Sequence, residues 1–351
     1  MKNFKFYIPI IALALLQSCA ANPASASNSP ASVSTGSSMF STAAFKKSFE
    51  SINSDELKKH LYIVASDEME GRDTGSEGQK KAGRYLISQY EKMGVSHPKS
   101  MQNYYQTVPK EALNGRRGNL PESENILAFI EGSEKPDEVI VISAHYDHVG
   151  MSKGEIYNGA DDDGSGTVAL LEIAEAFEMA KKSGNGPKRS ILFLHVTGEE
   201  HGLLGSKYYS ENPIFPLANT VVDLNIDMIG RCDPDNCGKE YVYVIGSEML
   251  STELKKISEQ ANKETVNLEL NYKYDDPNDT ERLYYRSDHY NFAKNGIPVA
   301  FYFDGIHADY HKPTDTPDKI DYVALRKRAQ LVFATAWEIA NRKDRIVVDK
   351  K

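Results

Sequence analysis

Five short segments of this chain gather residues that can hold metal ions or move protons. The first is His145-Tyr146-Asp147-His148. Alternation along an extended chain puts His145 and Asp147 on one side. A metal-binding imidazole commonly needs a carboxylate at its other nitrogen to fix its tautomer and orientation. Asp147 is therefore a candidate to orient His145 or a facing histidine, although a His-x-Asp alone reads equally as a packed core histidine. The second segment, Asn158-Gly159-Ala160-Asp161-Asp162-Asp163-Gly164-Ser165-Gly166, carries three consecutive carboxylates. These repel one another unless something positive lies among them. A solvated helix start also suits acids, but the flanking glycines favour a tight, structured loop.

Glu199 and Glu200 stand together in Thr197-Gly198-Glu199-Glu200-His201-Gly202. Paired glutamates suit a division of labour, one ligating metal and the other handling protons. Asp227 ends an apolar run in Asn225-Ile226-Asp227-Met228-Ile229-Gly230, and a lone buried aspartate is costly enough that a partner is expected. The fifth segment is Tyr310-His311-Lys312-Pro313-Thr314-Asp315-Thr316.

The elements that must position these groups alternate between helical patterns and short apolar strands, as in a sheet covered by helices on both faces. Helices are expected over Ser54 to Ala65, Gly78 to Met93, Thr167 to Lys182 and Asp321 to Asn341. Strands are expected over Glu124 to Ile130, Glu138 to Ala144, Ser190 to Val196, Thr220 to Ile226, Tyr241 to Ile245 and Pro298 to Phe303. A turn around Gly132 to Pro136 joins the first two strands. Each chemical segment is read as following an apolar strand, and ligand sites of open α/β sheets gather at the carboxyl ends of strands.

Composition narrows the setting. The formal charge is −9, and loss of Lys2 and Lys5 with a leader would make it −11. No basic stripe interrupts this acidity, so a nucleic-acid partner is not expected. Lys2 and Lys5 precede an apolar run from Phe6 to Leu16 that is short for a bilayer span. Leu16-Gln17-Ser18-Cys19 then resembles a bacterial lipoprotein cleavage box, which implies a signal peptide over 1–18 and a lipid on Cys19. An ordinary signal peptide and an uncleaved anchor are the alternatives. Residues 20–38 lack charge and are rich in Ser, Ala, Pro and Asn, the composition of a flexible tether. Residues 39–351 are long enough for one large α/β domain. Cys232 and Cys237 are expected to pair around Asp233 to Asn236 if the compartment is oxidising.

Taken together, the five segments resemble metallopeptidase family 28, the dizinc aminopeptidases related to bacterial leucyl aminopeptidases and glutamate carboxypeptidases. The resemblance runs from about Leu57 to Ile339. It includes Ala65-Ser66-Asp67-Glu68-Met69-Glu70-Gly71-Arg72, and Arg286-Ser287-Asp288-His289 ahead of Gly296-Ile297-Pro298. It implies a three-layer α/β/α fold around a central mixed, mostly parallel sheet, with two zinc ions per chain. One zinc would take His145 and Asp227, the other Glu200 and His311. Asp162 would bridge them, with Asp161 and Asp163 as alternatives one residue away. Glu199 would be the general base, Tyr310 would help stabilise the tetrahedral oxyanion, and Asp147 joins the catalytic set as the orienting carboxylate. Arg286 is a candidate for binding substrate backbone, or else a structural ion pair.

The reaction implied is removal of N-terminal residues from peptides. A carboxypeptidase or dipeptidase of the same family, a single-zinc glutaminyl cyclase, and a non-catalytic binding ectodomain are the competing readings. Of the other histidines, His195 is expected in the core, His148, His201 and His307 around the site, and His60 and His97 at the surface. His289 fits a site contact or a structural role.

Overall fold

The computed structural model describes residues 38–115, 118–276 and 278–350. The readings of a signal peptide, of Cys19 and of most of the tether lie outside the described residues. Eight strands form one sheet: β1 (Tyr105–Val108), β2 (Ser123–Ile130), β3 (Lys135–His145), β4 (Arg189–Val196), β5 (Thr220–Ile226), β6 (Tyr241–Ile245), β7 (Glu269–Asn271) and β8 (Val299–Phe303). Their order across the sheet is β1-β2-β4-β3-β5-β8-β6-β7. At the centre β4, β3, β5 and β8 run parallel. β2 joins β4, and β6 joins β8, in antiparallel sense. The mixed, mostly parallel sheet expected from the sequence is the one found.

Successive side chains of a strand point to opposite faces, and both faces here are buried. Ile140, Ile142 and Ala144 of β3 enter the larger core, whereas Val139 and Val141 enter a smaller one on the other face. The larger core is closed by α1 (Ala43–Ser51), α2 (Ser54–Val64), α3 (Glu77–Met93) and α4 (Gly166–Lys182), through Phe45, Leu61, Leu86 and Leu170. The smaller core receives Tyr209 of α5 (Leu204–Glu211). Leu254 of α6 (Thr252–Glu264) returns to the larger core, Phe292 of α7 (His289–Ala293) to the smaller, and Phe333 of α8 (Tyr322–Asn341) to the larger. A continuous apolar run such as Val139 to Ile142 is what a strand buried on both faces requires.

Caps set several helix ends. Ser76 accepts from Gln79 N at the start of α3, and Gly94 at φ 82° ends it. Asp321, read as helical, is instead the N-cap of α8 and accepts from Val323 N and Ala324 N.

One surface assignment is corrected. His60 is only 5% exposed, because it lies three residues after Leu57 on the face of α2 that packs inward. Its Nδ1 is 2.6 Å from Tyr85 Oη. His97 is half-buried, its ring edge-on to Tyr104. His195 does lie in the core, with Nε2 2.7 Å from Tyr90 Oη, and burial pushes its pKa down to about 3. Cys232 and Cys237 form a disulfide. Among the described residues no helix is long and apolar enough to cross a membrane.

Candidate metal centre

Because β4, β3, β5 and β8 are parallel, their carboxyl ends open on one edge of the sheet. His145 is the last residue of β3, the Thr197–Gly202 segment follows β4, Asp227 follows β5, and the chain after β8 carries His307 to Asp315. The acidic loop fills the space between them just ahead of α4.

Asp162 lies at the middle of the cluster. Its Oδ1 is 3.2 Å from His145 Nε2, and its Oδ2 is 3.1 Å from His311 Nε2. On one side Asp227 Oδ1 stands 3.5 Å from His145 Nε2; on the other Glu200 Oε2 stands 3.0 Å from His311 Nε2. The five residues singled out as metal ligands thus meet in two groups that share Asp162. His145 Nε2, Asp162 Oδ2 and Glu200 Oε1 are buried without a well-formed hydrogen bond. Donor atoms 3.0–3.5 Å apart can each lie about 2.0–2.2 Å from one zinc ion. Facing lone pairs, buried and unsatisfied, fit divalent cations.

The neighbouring acids are occupied by the backbone. Asp163 Oδ1 accepts from Gly166 N at 2.9 Å and from Met228 N at 3.1 Å. Asp161 Oδ1 accepts from Gly230 N at 2.6 Å, and its Oδ2 is 3.2 Å from His307 Nε2. Asp315 accepts from the backbone N–H of Asp161 and Asp162. Asp161 and Asp163 therefore pin the loop, leaving Asp162 to face both imidazoles. Asp163 still offers an oxygen near His145 and Asp227. Gly159 is obligatory here: at φ 53°, a Cβ would fall 2.3 Å from Asp162 O and 2.4 Å from His148 Cγ.

Arg72, from the lead-in motif, supports this loop from below. It is fully buried and donates to the carbonyls of Tyr146, Val64, Asn158 and Gly159 at 2.7–2.9 Å. One guanidinium thus ties the end of α2 to both loops that carry site residues.

Asp147 works differently from the sequence expectation. His145 Nδ1 lies 3.0 Å from the backbone carbonyl of Asp147, while the Asp147 carboxylate is 3.8 Å away. That carboxylate accepts from Thr74 Oγ1 at 2.9 Å and from Glu199 N at 3.2 Å. The tautomer of His145 is set by main chain, and the Asp147 side chain positions the backbone of Glu199. The two glutamates are pushed in opposite directions. Burial holds the Glu199 carboxyl well above the usual range, with Asp227 and Glu200 adding repulsion. Glu200 also feels burial and Asp162, but the imidazoles of His148 and His311 beside it outweigh them and bring it down to about 2.

Tyr310 stacks on His311, ring centroids 3.9 Å apart, and burial among the carboxylates pushes its phenol well above its usual pKa. A small pocket opens beside it. Asp162, Glu199, Asp227 and Arg286 line this pocket together with the apolar side chains of Met228, Leu283, Phe301, Phe303 and Ile306. Arg286 has only a loose partner, Glu281 Oε2 at 3.8 Å.

Sequence reasoning gave His148 too small a part. It is fully buried, its Nδ1 is 2.8 Å from Glu200 Oε1, and it forms a possible metal group with Asp162 and Glu200. Its place beside His145 was the available signal. His201 pairs with Asp73 at 3.0 Å. His289 is stacked on Phe301, and burial lowers its pKa to about 3, which favours the structural reading. Ser287 Oγ donates to Asp227 Oδ2, and Asn225 Nδ2 donates to Ser287 Oγ. Nothing local in the sequence marked those bonds.

Comparison with known proteins agrees with this geometry. The model of the family described as Peptidase family M28 matches residues 125–336. A probable leucine aminopeptidase of Arthroderma otae is 31% identical over 224 residues, covering 62% of this chain and 57% of that protein. The chain thus spans little more than half the length of the curated relatives it matches. A zinc aminopeptidase from Bacillus subtilis has a similar structure, with TM-score 0.64 and 16% identity over 85% of this chain and 98% of that one. The glutaminyl cyclase of Porphyromonas gingivalis is similar too, with TM-score 0.62 and 20% identity over 81% of this chain and 97% of that one. At such identities the structures speak for the fold alone.

Proposed function

The chain belongs to peptidase family M28, and from that premise we propose that it is a zinc-dependent exopeptidase, an aminopeptidase with two zinc ions. The observation that carries this reading is Asp162, which offers one oxygen toward His145 and the other toward His311 while Glu199 lines the adjoining cavity. His145 and Asp227 would hold one ion, Glu200 and His311 the other, and Asp162 both. His148 is close enough to contribute to the second site. Bound zinc would supply Lewis acidity, polarising the scissile carbonyl and lowering the pKa of a water from about 15.7 towards about 7.

The remaining steps belong to the chain. Glu199, whose surroundings favour a bound proton, takes one from the attacking water and passes it to the leaving amine. Tyr310 stays neutral at any working pH, so its O–H is available to the developing oxyanion. Arg286 at the cavity rim receives a substrate carbonyl. The carboxylates lining the pocket suit a free, positively charged α-amine, and its apolar lining residues suit an aliphatic or aromatic N-terminal side chain. This supports an aminopeptidase. Arg286 also suits a C-terminal carboxylate, the one observation that favours a carboxypeptidase. Peptides are the substrates in both readings, and the acidity of the chain argues against nucleic acid.

The domain over 39–351 would be exported and held to a bacterial membrane by lipid on Cys19, through the 20–38 tether. Cys19→Ala should release it from membranes with activity intact; retention would favour an uncleaved anchor. The main test assays aminoacyl-nitroanilides, N-blocked peptides and a Gln-peptide, with metal analysis and a chelator arm. Cleavage of free-amine apolar substrates, about two divalent ions per chain and loss of activity on chelation are expected. Cleavage only of N-blocked peptides would favour the carboxypeptidase. One ion with cyclisation of the Gln-peptide would favour the cyclase, and no turnover a binding ectodomain.

A further inference from the structure

Apart from the metal centre, α2 and α4 meet through another set of charged side chains. Glu56 and His60 lie one turn apart on α2, and Glu172 and Glu175 one turn apart on α4. An oxygen from each of Glu56, Glu172 and Glu175 lies within 4.8 Å of the other two. Glu172 is 1% exposed, and its Oε1 has no hydrogen-bond partner. His60 Nε2 faces that oxygen at 3.8 Å, too far for a hydrogen bond, while its Nδ1 is engaged with Tyr85 Oη. Asn53 gives only long contacts of 3.4 Å, from its N–H to Glu172 and from its side chain to Glu56.

Lys59 and Lys182 lie near enough to offset part of the negative charge. Neither forms an ion pair with these three glutamates; Lys182 reaches Glu178 instead. Burial drives the Glu172 pKa up to about 8, and Glu56 and Glu175 add to the push. A proton on Glu172 removes one charge but leaves three carboxyl groups facing one another without hydrogen bonds between them.

We propose that Glu56, Glu172 and Glu175 bind a calcium ion. All three donors are hard oxygens, the ligand type of calcium and magnesium. Calcium takes about six to eight oxygens in a flexible geometry, so three carboxylates on two helices with water completing the shell can serve it. Magnesium demands near-ideal octahedral geometry and usually keeps several waters with one or two carboxylates, so a three-carboxylate set suits it less well. Glu172 would be the buried ligand, and Glu56 and Glu175 the half-buried ones, leaving water to complete the shell. The ion would fasten α2 to α4, the helix that leads directly out of the Asp161–Asp163 loop. It would act on stability and take no part in the reaction, so the assignment does not depend on the proposed peptidase activity.

The test uses the full chain with its zinc retained, calcium chloride as probe, equilibrium dialysis with radioactive calcium, and thermal unfolding. One calcium per chain is expected, with a dissociation constant on the order of 10⁻⁴–10⁻³ M. At ten times that concentration the folded-to-unfolded ratio should rise about 11-fold. Glu172→Gln and Glu175→Gln should each abolish both effects while keeping the zinc content. Glu175 is half-exposed, so its variant reports even if Glu172→Gln fails to fold. No calcium uptake by the native chain, or uptake and stabilisation unchanged in Glu175→Gln, overturns the proposal. An additional zinc per chain that is lost in Glu175→Gln, with no calcium bound, overturns the choice of ion.

Discussion

Ser287 Oγ donates a 2.7 Å hydrogen bond to Asp227 Oδ2, leaving Asp227 Oδ1 to face His145. Asn225 holds Ser287 in turn, so the donor cannot swing away. A partner of this kind orients a ligand and is typically worth roughly 10–100-fold in metal affinity. Ser287→Ala should therefore weaken one of the two sites by about that factor. Zinc titration against a competing chelator would measure it, and excess zinc should restore most of the activity.

The adjacent glutamates are separable by substitution. Glu199→Gln should lower the rate by roughly 10²–10⁴, the usual loss with a general base, while both ions remain bound. Glu200→Gln replaces an anionic donor by a neutral one; it should lose metal and recover in part with added zinc. The reverse pattern of metal retention would exchange the two roles.

Arg72→Met should be among the most destabilising substitutions in the chain. It removes the donor to four buried carbonyls, of which Gly159 O keeps a second donor in Gly164 N. The cost should be at least about 3 kcal/mol, measured as the shift in urea midpoint at constant slope. An unchanged midpoint would mean that water replaces the guanidinium.

Glu172 makes stability depend on pH when no calcium is present. Its pKa in the folded chain is pushed to about 8, against 4.5 for the free side chain. Below about pH 4.5 both folded and unfolded chains carry the proton, so the group contributes nothing to the slope. Between there and about pH 8 the unfolded chain has released a proton that the folded chain retains, and stability falls as pH rises. Above pH 8 the loss is complete. Urea unfolding across this window should show a decline that Glu172→Gln abolishes; identical slopes would show that the carboxyl is already ionised.

Ligation chemistry made much of the site legible in the sequence. His, Asp and Glu are the side chains that suit such a centre, and each segment carrying them sits at the mouth of an apolar strand or loop. His145, Asp162, Glu200, Asp227 and His311 do converge in space. Which nitrogen or oxygen faces which partner is a three-dimensional fact, so His148 could not be ranked against His311, nor the carbonyl of Asp147 against its carboxylate. Ser287 reaches Asp227 across 60 residues of sequence and Arg72 reaches Gly159 across 87, where no local pattern reports. In the fold, runs such as Tyr241 to Ile245 announced themselves by continuous apolarity. Strand β1, only four residues long with alternating burial, did not. The antiparallel sense of β6 against β8 is a long-range choice that neither segment encodes alone.

The place of β8 in the sheet governs when the proposed metal centre can assemble. It lies between β5 and β6, although 53 residues after the end of β6 in the chain, and His311 follows it. Until Val299 to Phe303 inserts, β5 and β6 have no strand between them, and the imidazole facing Asp162 and Glu200 is missing. A chain emerging from its N-terminus therefore carries His145, Asp162, Glu199 and Asp227 without an assembled centre. The imidazole that faces Asp162 and Glu200 thus joins after the other candidate ligands, so chains cut short of His311 should lack an assembled metal centre.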